Sequence, residues 1–115
     1  MTYPQFVTSR CKPGGEILDT LTPMRVHVLH VISKLGSESG ELMDAVGKWC
    51  SYNKEPDKAN IIEELGDIEF YLEAFRGYMG ITREETIQAN MDKLTKRYPV
   101  AYSDKDAQER KDKKV

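Results

Sequence analysis

The chain has 115 residues, of which 39% are hydrophobic, and a net charge of −2, which supports one small domain with little apolar surface for a full core. Its 17 Lys and Arg are balanced by 19 Asp and Glu, so it lacks the broad basic character that binding a nucleic-acid polymer requires. No apolar run approaches the roughly 20 residues of a membrane span, and the first residues lack the basic-then-apolar order of a secretion signal. We therefore expect a cytoplasmic protein that binds neither membranes nor nucleic-acid polymers and that self-associates to complete its core.

Residues 1–21 form a lead-in segment with weak signals for regular structure. It carries a Pro-Gly-Gly sequence that starts at Pro13, and such residues interrupt helices. We expect this segment to be irregular or briefly helical. Cys11 and Cys50 match neither a CxxC motif nor a disulfide framework, which favours two free thiols.

Residues 22–102 are predicted to form an all-α domain, a helical bundle of three main helices. The first helix is predicted from Pro23 to about Tyr52, because Thr22 followed by proline is a typical helix start. Apolar residues then recur along this segment at helical spacing, which indicates a helix with one face toward a core.

The second and third helices are predicted from similar signals. An apolar stripe that starts at Ile61 predicts the second helix, and Gly80 ends it. Thr82 and Glu85 have the spacing of a capping box, which opens the third helix, and Pro99 stops that helix. The residues expected in the core from the three helices are Leu35, Leu42, Val46, Trp49, Leu65, Ile68, Leu72, Phe75, Ile87, Leu94 and Tyr98.

The last segment, residues 103–115, is rich in charge and has no apolar stripe. Such a segment has little apolar surface to bury. We expect it to be frayed or a solvated helix, and we assign it no chemistry.

Two acidic motifs lie on the first and second predicted helices. Glu38 and Glu41 form an ExxE motif, and Glu64 and Asp67 form an ExxD motif that starts 26 residues later. Residues three apart on a helix differ by about 60°, so both acids of a motif face one neighbour beside the apolar stripe. Four facing carboxylates would repel each other without a cation, and oxygen ligands select Mg²⁺ or Mn²⁺. The motifs therefore predict a divalent-metal site in which these four acids are the ligands.

The third helix supplies positive charge beside its apolar stripe. Lys93 and Arg97 flank the stripe on the side of Asn90. Both cations can neutralise a phosphate, Arg through two parallel hydrogen bonds, although a solvated face would also explain them. Trp49 follows the first acidic motif and serves either as a stacking surface for a nucleotide base or as a core anchor.

The order of these motifs resembles that of the MazG-like nucleoside triphosphate pyrophosphohydrolases, an all-α superfamily. The ExxE motif, the ExxD motif and the sequence from Asn90 to Pro99 carry the resemblance, which spans residues 24–99. In size the chain is similar to the single-domain members of bacteria and phages. The resemblance implies Mg²⁺-dependent cleavage between the α and β phosphates of a nucleotide, which gives the monophosphate and pyrophosphate and serves in nucleotide-pool control.

The same resemblance implies roles for individual residues. Glu38, Glu41, Glu64 and Asp67 would be the metal ligands and the catalytic residues. Lys93, Arg97 and Asn90 would contact the triphosphate. The general base stays open between Glu63 and a ligating carboxylate.

Members of the superfamily are usually dimers or tetramers of helical bundles with sites near a subunit interface, and the resemblance implies a homodimer or homotetramer here. Phe70 and Ala74 form a second apolar face on the second helix, which predicts a subunit contact there. Two alternatives remain. One is an enzyme similar to phosphoribosyl-ATP pyrophosphohydrolase, and the other is a non-catalytic helical binding or regulatory module whose acids serve only solubility.

Overall fold

A computed structural model describes residues 1–113 of the chain. This part contains helices and no strand, so the predicted all-α class is confirmed. None of its helices combines the length and apolar character that crossing a bilayer requires. The elements are α1 (Tyr3–Arg10), α2 (Gly14–Thr20), α3 (Pro23–Tyr52), α4 (Lys58–Met79), α5 (Arg83–Arg97), α6 (Asp104–Glu109) and a 3₁₀ turn (Lys111–Lys113).

The chain divides into two compact units, Met1–Ile68 and Glu69–Val115, and the division falls inside α4. The first unit contains α1, α2, α3 and the first half of α4. In the second unit, α6 and the 3₁₀ turn pack against α5. Both predicted acidic motifs lie in the first unit, and the predicted cations lie in the second.

The bounds of α3 agree with the prediction from Pro23 to about Tyr52. The Thr22 hydroxyl accepts a hydrogen bond from the backbone N–H of Arg25 at 3.2 Å, and proline occupies the first turn. At the other end Asn53 adopts a left-handed conformation with φ of 50°, which an Asn tolerates better than most residues. Local capping chemistry therefore sets both ends of the longest helix.

Helices α4 and α5 also begin and end at local signals. Asp57 caps α4, because its carboxylate accepts a hydrogen bond from the backbone N–H of Ala59 at 3.0 Å. Gly80 ends α4 with φ of 68°, a left-handed conformation that glycine adopts without strain. Thr82 and Glu85 form the predicted capping box at the start of α5, with reciprocal hydrogen bonds of 2.8 and 3.1 Å.

The two ends of the chain are more helical than the sequence alone indicated. Thr2 and Gln5 form a capping box that opens α1, and α2 starts at the glycines after Pro13. In the tail the Ser103 hydroxyl accepts a hydrogen bond from the backbone N–H of Asp106 and so starts α6. Cys11 and Cys50 are free thiols, as predicted.

The expected core is only partly buried within one chain. Val31 is the single buried hydrophobic residue among residues 1–113. Part-buried are Leu35, Leu42, Ile68, Leu72, Phe75, Leu94 and Tyr98. The expectation of burial is wrong for Val46, Trp49, Leu65 and Ile87, which are exposed. The physical reason is size, since a chain of 115 residues with long helices has too few elements to cover every apolar stripe.

Candidate metal centre

Helices α3 and α4 bring three of the four predicted metal ligands together. Carboxylate oxygens of Glu38, Glu41 and Glu64 lie within 4.8 Å of one another. Glu38 and Glu41 are one helical turn apart on α3, so their side chains share a face toward Glu64 on α4. This separation suits a divalent cation, whose oxygen ligands lie about 2.0–2.6 Å from the ion.

The three carboxylates differ in their burial. Glu38 is only 9% exposed, Glu64 is part-buried and Glu41 is exposed. The Oε2 atoms of Glu38 and Glu64 are buried and accept no hydrogen bond from the described part of the chain. A buried carboxylate oxygen without a donor is costly. The three carboxylates therefore fit a hard divalent cation, which would bind both buried oxygens.

The protonation of Glu64 reflects the same crowding. Burial, followed by the neighbouring carboxyl groups of Glu38 and Glu41, raises the pKa of Glu64 from 4.5 to about 7. Each of these causes disfavours the ionised form. The cluster without metal thus holds a proton near neutral pH, and a cation would have to displace it.

Asp67, the fourth predicted ligand, is not part of this cluster. It is exposed on α4, one turn after Glu64, and does not share the 4.8 Å separation of the other three acids. Its role as a ligand stays a prediction. Trp49 is 48% exposed on α3, and its role as a stacking surface stays a prediction as well.

A cleft of about 490 Å³ opens beside the carboxylates in the first unit. Glu41 and Glu64 line it together with polar residues that were not predicted from the sequence, among them Lys48 and Asn60. Asn60 precedes Glu64 by one turn, and Lys48 follows Glu41 by two turns, so helical spacing from the motifs was a usable signal. The Lys48 ammonium also pairs with Asp44 at 3.2 Å. This cleft offers polar groups to a ligand bound at the carboxylates.

The predicted phosphate-binding cations lie on α5 in the second unit. Asn90 and Lys93 are exposed, and Arg97 is largely buried. Arg97 forms a salt bridge with Asp112 of the 3₁₀ turn, with Nε to Oδ1 at 2.8 Å and Nη2 to Oδ2 at 2.9 Å. Asp112 belongs to the segment for which the sequence predicted no role, because a contact between residues 15 positions apart leaves no local pattern.

The model of the MazG nucleotide pyrophosphohydrolase domain matches residues 27–102, a segment that contains both acidic motifs and the whole of α5. No curated protein and no solved structure matched the chain.

Proposed function

Because the chain belongs to the family of the MazG nucleotide pyrophosphohydrolase domain, we propose that it is a Mg²⁺-dependent hydrolase of (d)NTPs. The bond broken lies between the α and β phosphates, and the products are the nucleoside monophosphate and pyrophosphate. The cellular role that fits this reaction is nucleotide-pool control in the cytoplasm. The family match supports nucleotide pyrophosphohydrolase activity in general, and the choice of metal and of triphosphate is the proposal.

One observation carries the proposal, namely the unpartnered buried oxygens of Glu38 and Glu64 beside the Glu41 carboxylate. A solubility role for these acids would place them at the surface, where water satisfies their oxygens. Glu38 is instead 9% exposed, which makes sense when a cation occupies the cluster. This burial argues against the alternative of a non-catalytic binding module.

The proposed mechanism divides the work between the metal and the side chains. Glu38, Glu41 and Glu64 would hold Mg²⁺, with Asp67 as a candidate fourth ligand. The bound ion supplies positive charge that offsets the phosphate charge and makes water more acidic. Glu64 must release its proton before it serves as a ligand, since its pKa is about 7.

Other side chains would bind and orient the triphosphate. Lys93 and Arg97 neutralise phosphate oxygens, with Asn90 as a further contact. Trp49 is the candidate stacking surface for the base. Glu63 or a ligating carboxylate takes the proton from the attacking water, and the choice between them stays open.

We also propose that the active form is a homodimer or homotetramer. Large apolar side chains on α3 and α4 are exposed in the single chain, including Trp49, Leu65 and Phe70, which is 66% exposed. Covering such side chains is the usual driving force for association. The contact predicted at Phe70 is thus available on the surface of one chain.

The proposal is tested by incubating the metal-stripped protein with a panel of (d)NTPs, with and without Mg²⁺. Phosphorus NMR distinguishes pyrophosphate from the orthophosphate that a γ-phosphatase would release. Glu38→Gln should abolish turnover, whereas Glu69→Gln serves as the matched control because Glu69 is exposed on α4 outside the cluster. Absence of pyrophosphate with every nucleotide, or full activity of Glu38→Gln, would refute the proposed function.

A further inference from the structure

The C-terminal segment folds back onto the helix that carries the predicted phosphate-binding cations. Ser103 starts α6, and Arg110 adopts a left-handed conformation with φ of 52° directly after it. This turn leads into the 3₁₀ turn Lys111–Lys113, which packs against α5. A segment that sequence composition describes as solvated therefore delivers one carboxylate, that of Asp112, to Arg97.

The contact between the two side chains is bidentate and largely shielded from water. Nε and Nη2 of Arg97 donate to separate oxygens of Asp112 at 2.8 and 2.9 Å. The side chain of Asp112 is 1% exposed and that of Arg97 is 17% exposed. The Arg110 guanidinium lies 3.7 Å from the same carboxylate. Parallel hydrogen bonds of this kind constrain the plane and rotation of a guanidinium, as one bond alone does not.

The Asp112 carboxyl group is ionised, as the hydrogen bonds from Arg97 require. The hydrogen bonds from Arg97 hold the pKa of Asp112 well below its usual range, against the effect of burial. Asp112 is therefore ionised at any pH at which the protein would be assayed. The charge that Asp112 needs for the ion pair with Arg97 is therefore present throughout that range.

The contact also leaves part of the guanidinium unused by Asp112. A guanidinium has five N–H donors, and a side-on carboxylate takes one from Nε and one from a terminal nitrogen. The two donors of Nη1 are not engaged by Asp112, although the Tyr98 ring lies beside the same guanidinium, with its centroid 5.9 Å from the Arg97 Cζ atom. An arginine fixed in this way has lost its rotamer freedom before any ligand arrives, which lowers the entropic cost of binding.

We propose that Asp112 is a positioning residue, which holds the guanidinium of Arg97 so that its Nη1 side accepts a polyphosphate. The inference rests on the proposed function, specifically on the phosphate-binding role of Arg97. Its ligand class is a polyphosphate anion with Mg²⁺, such as the triphosphate of a nucleotide. The tail is then part of the substrate-binding apparatus and not an appendage.

Equilibrium binding of inorganic tripolyphosphate with Mg²⁺ is the direct test, because it requires no turnover. Asp112→Asn removes the charge and keeps the size of the side chain, and we expect it to weaken binding about tenfold. Arg97→Ala should weaken binding at least as much. The double variant should bind no worse than Arg97→Ala, since Asp112 acts through Arg97. Asp106→Asn is the matched control, because Asp106 lies in the same segment and its side chain does not pair with Arg97.

The possible outcomes separate this inference from its rivals. Tighter binding by Asp112→Asn would show that the tail carboxylate competes with phosphate, and it would overturn the inference. Unchanged binding together with a lower melting temperature would assign the pair a purely structural role and overturn it too. If Asp112→Asn fails to fold, Asp112→Glu is measured instead, because it keeps the charge and moves the carboxylate by one methylene. Tripolyphosphate binding by Asp112→Glu that equals wild-type binding would overturn the inference.

Failure of the proposed function is recognised independently. A wild-type protein that binds tripolyphosphate but releases no pyrophosphate from any nucleotide would refute the hydrolase assignment alone. The binding comparison between Asp112→Asn and wild type would still decide the role of Asp112.

Discussion

Metal binding should weaken steeply below neutral pH, because Glu64 holds a proton that the metal must displace. Burial and the neighbouring carboxyl groups raise the pKa of Glu64 to about 7. By the titration equation, about one Glu64 in eleven is then ionised at pH 6 and about ten in eleven at pH 8. We therefore expect the apparent dissociation constant for Mg²⁺ to be about tenfold higher at pH 6 than at pH 8.

Isothermal titration calorimetry in buffers of different ionisation enthalpy measures both the affinity and the protons released. About one proton should leave per metal bound at pH 6 and about one tenth of a proton at pH 8. Glu64→Gln removes the titrating group and should abolish this difference. Glu69→Gln, an exposed change on the same helix, should preserve it. If the Mg²⁺ affinity of the wild-type protein stays constant from pH 6 to 8 and no proton is released, Glu64 does not hold a proton that the metal must displace.

The same group should affect the stability of the metal-free protein. Its pKa is higher in the folded chain than the ordinary value of 4.5, so the folded state binds the proton more tightly than the unfolded state does. The contribution of Glu64 to stability is therefore fully present below about pH 4.5 and is lost as the pH rises through about 7. The melting temperature of metal-stripped protein should fall over this interval, and saturating Mg²⁺ should remove most of the fall. A Glu64→Gln variant with the same pH dependence as wild type would contradict the assignment.

Three further predictions concern ligands, substrate contacts and assembly. Glu41→Gln and Asp67→Asn should each lower Mg²⁺-dependent turnover by at least about a hundredfold, because each replaces a charged ligand by a near-isostere. The helical circular dichroism signal should not change. Near-normal activity of either variant would show that the replaced residue is not a metal ligand. Lys93→Ala and Arg97→Ala should lower kcat/KM for a triphosphate by about one to two decades, the value of a lost charge-assisted hydrogen bond. Calorimetry should show an unchanged Mg²⁺ affinity in both variants. An unaltered kcat/KM in both variants would show that Lys93 and Arg97 do not bind substrate and that α5 has only a structural role. Phe70→Glu should lower both the mass measured by light scattering and the turnover, whereas a fully active wild-type monomer would show that the site is complete within one chain.

Local signals in the sequence were sufficient for the main helices. Thr22 with Pro23, Gly80, and the pair Thr82 and Glu85 each act within three or four residues of a helix end. A hydrogen bond of this range depends only on residues that are neighbours in the chain. The prediction of three helices and their bounds therefore needed no knowledge of how the helices pack.

Burial was harder to predict from periodicity. Helical spacing shows which residues share a face, but it does not show whether another element covers that face. Val31 is buried, while Trp49 and Leu65 on equivalent stripes are each 48% exposed. Glu38 is more buried than either of these apolar residues, and no rule based on residue type would have ranked them in this order.

The sequence by itself determined the chemistry available to this protein, and the tertiary structure decided which groups meet. Two acidic motifs 26 residues apart are visible in the sequence, and helical spacing places each pair of acids on one face. Only the tertiary structure shows that Glu38, Glu41 and Glu64 converge while Asp67 stays outside the cluster. The pairing of Arg97 with Asp112 is likewise a product of chain reversal after α6. The physical reason is that helix capping and periodicity are short-range properties of neighbouring residues. Convergence of side chains depends on contacts between segments distant in the chain, and no local pattern encodes those contacts.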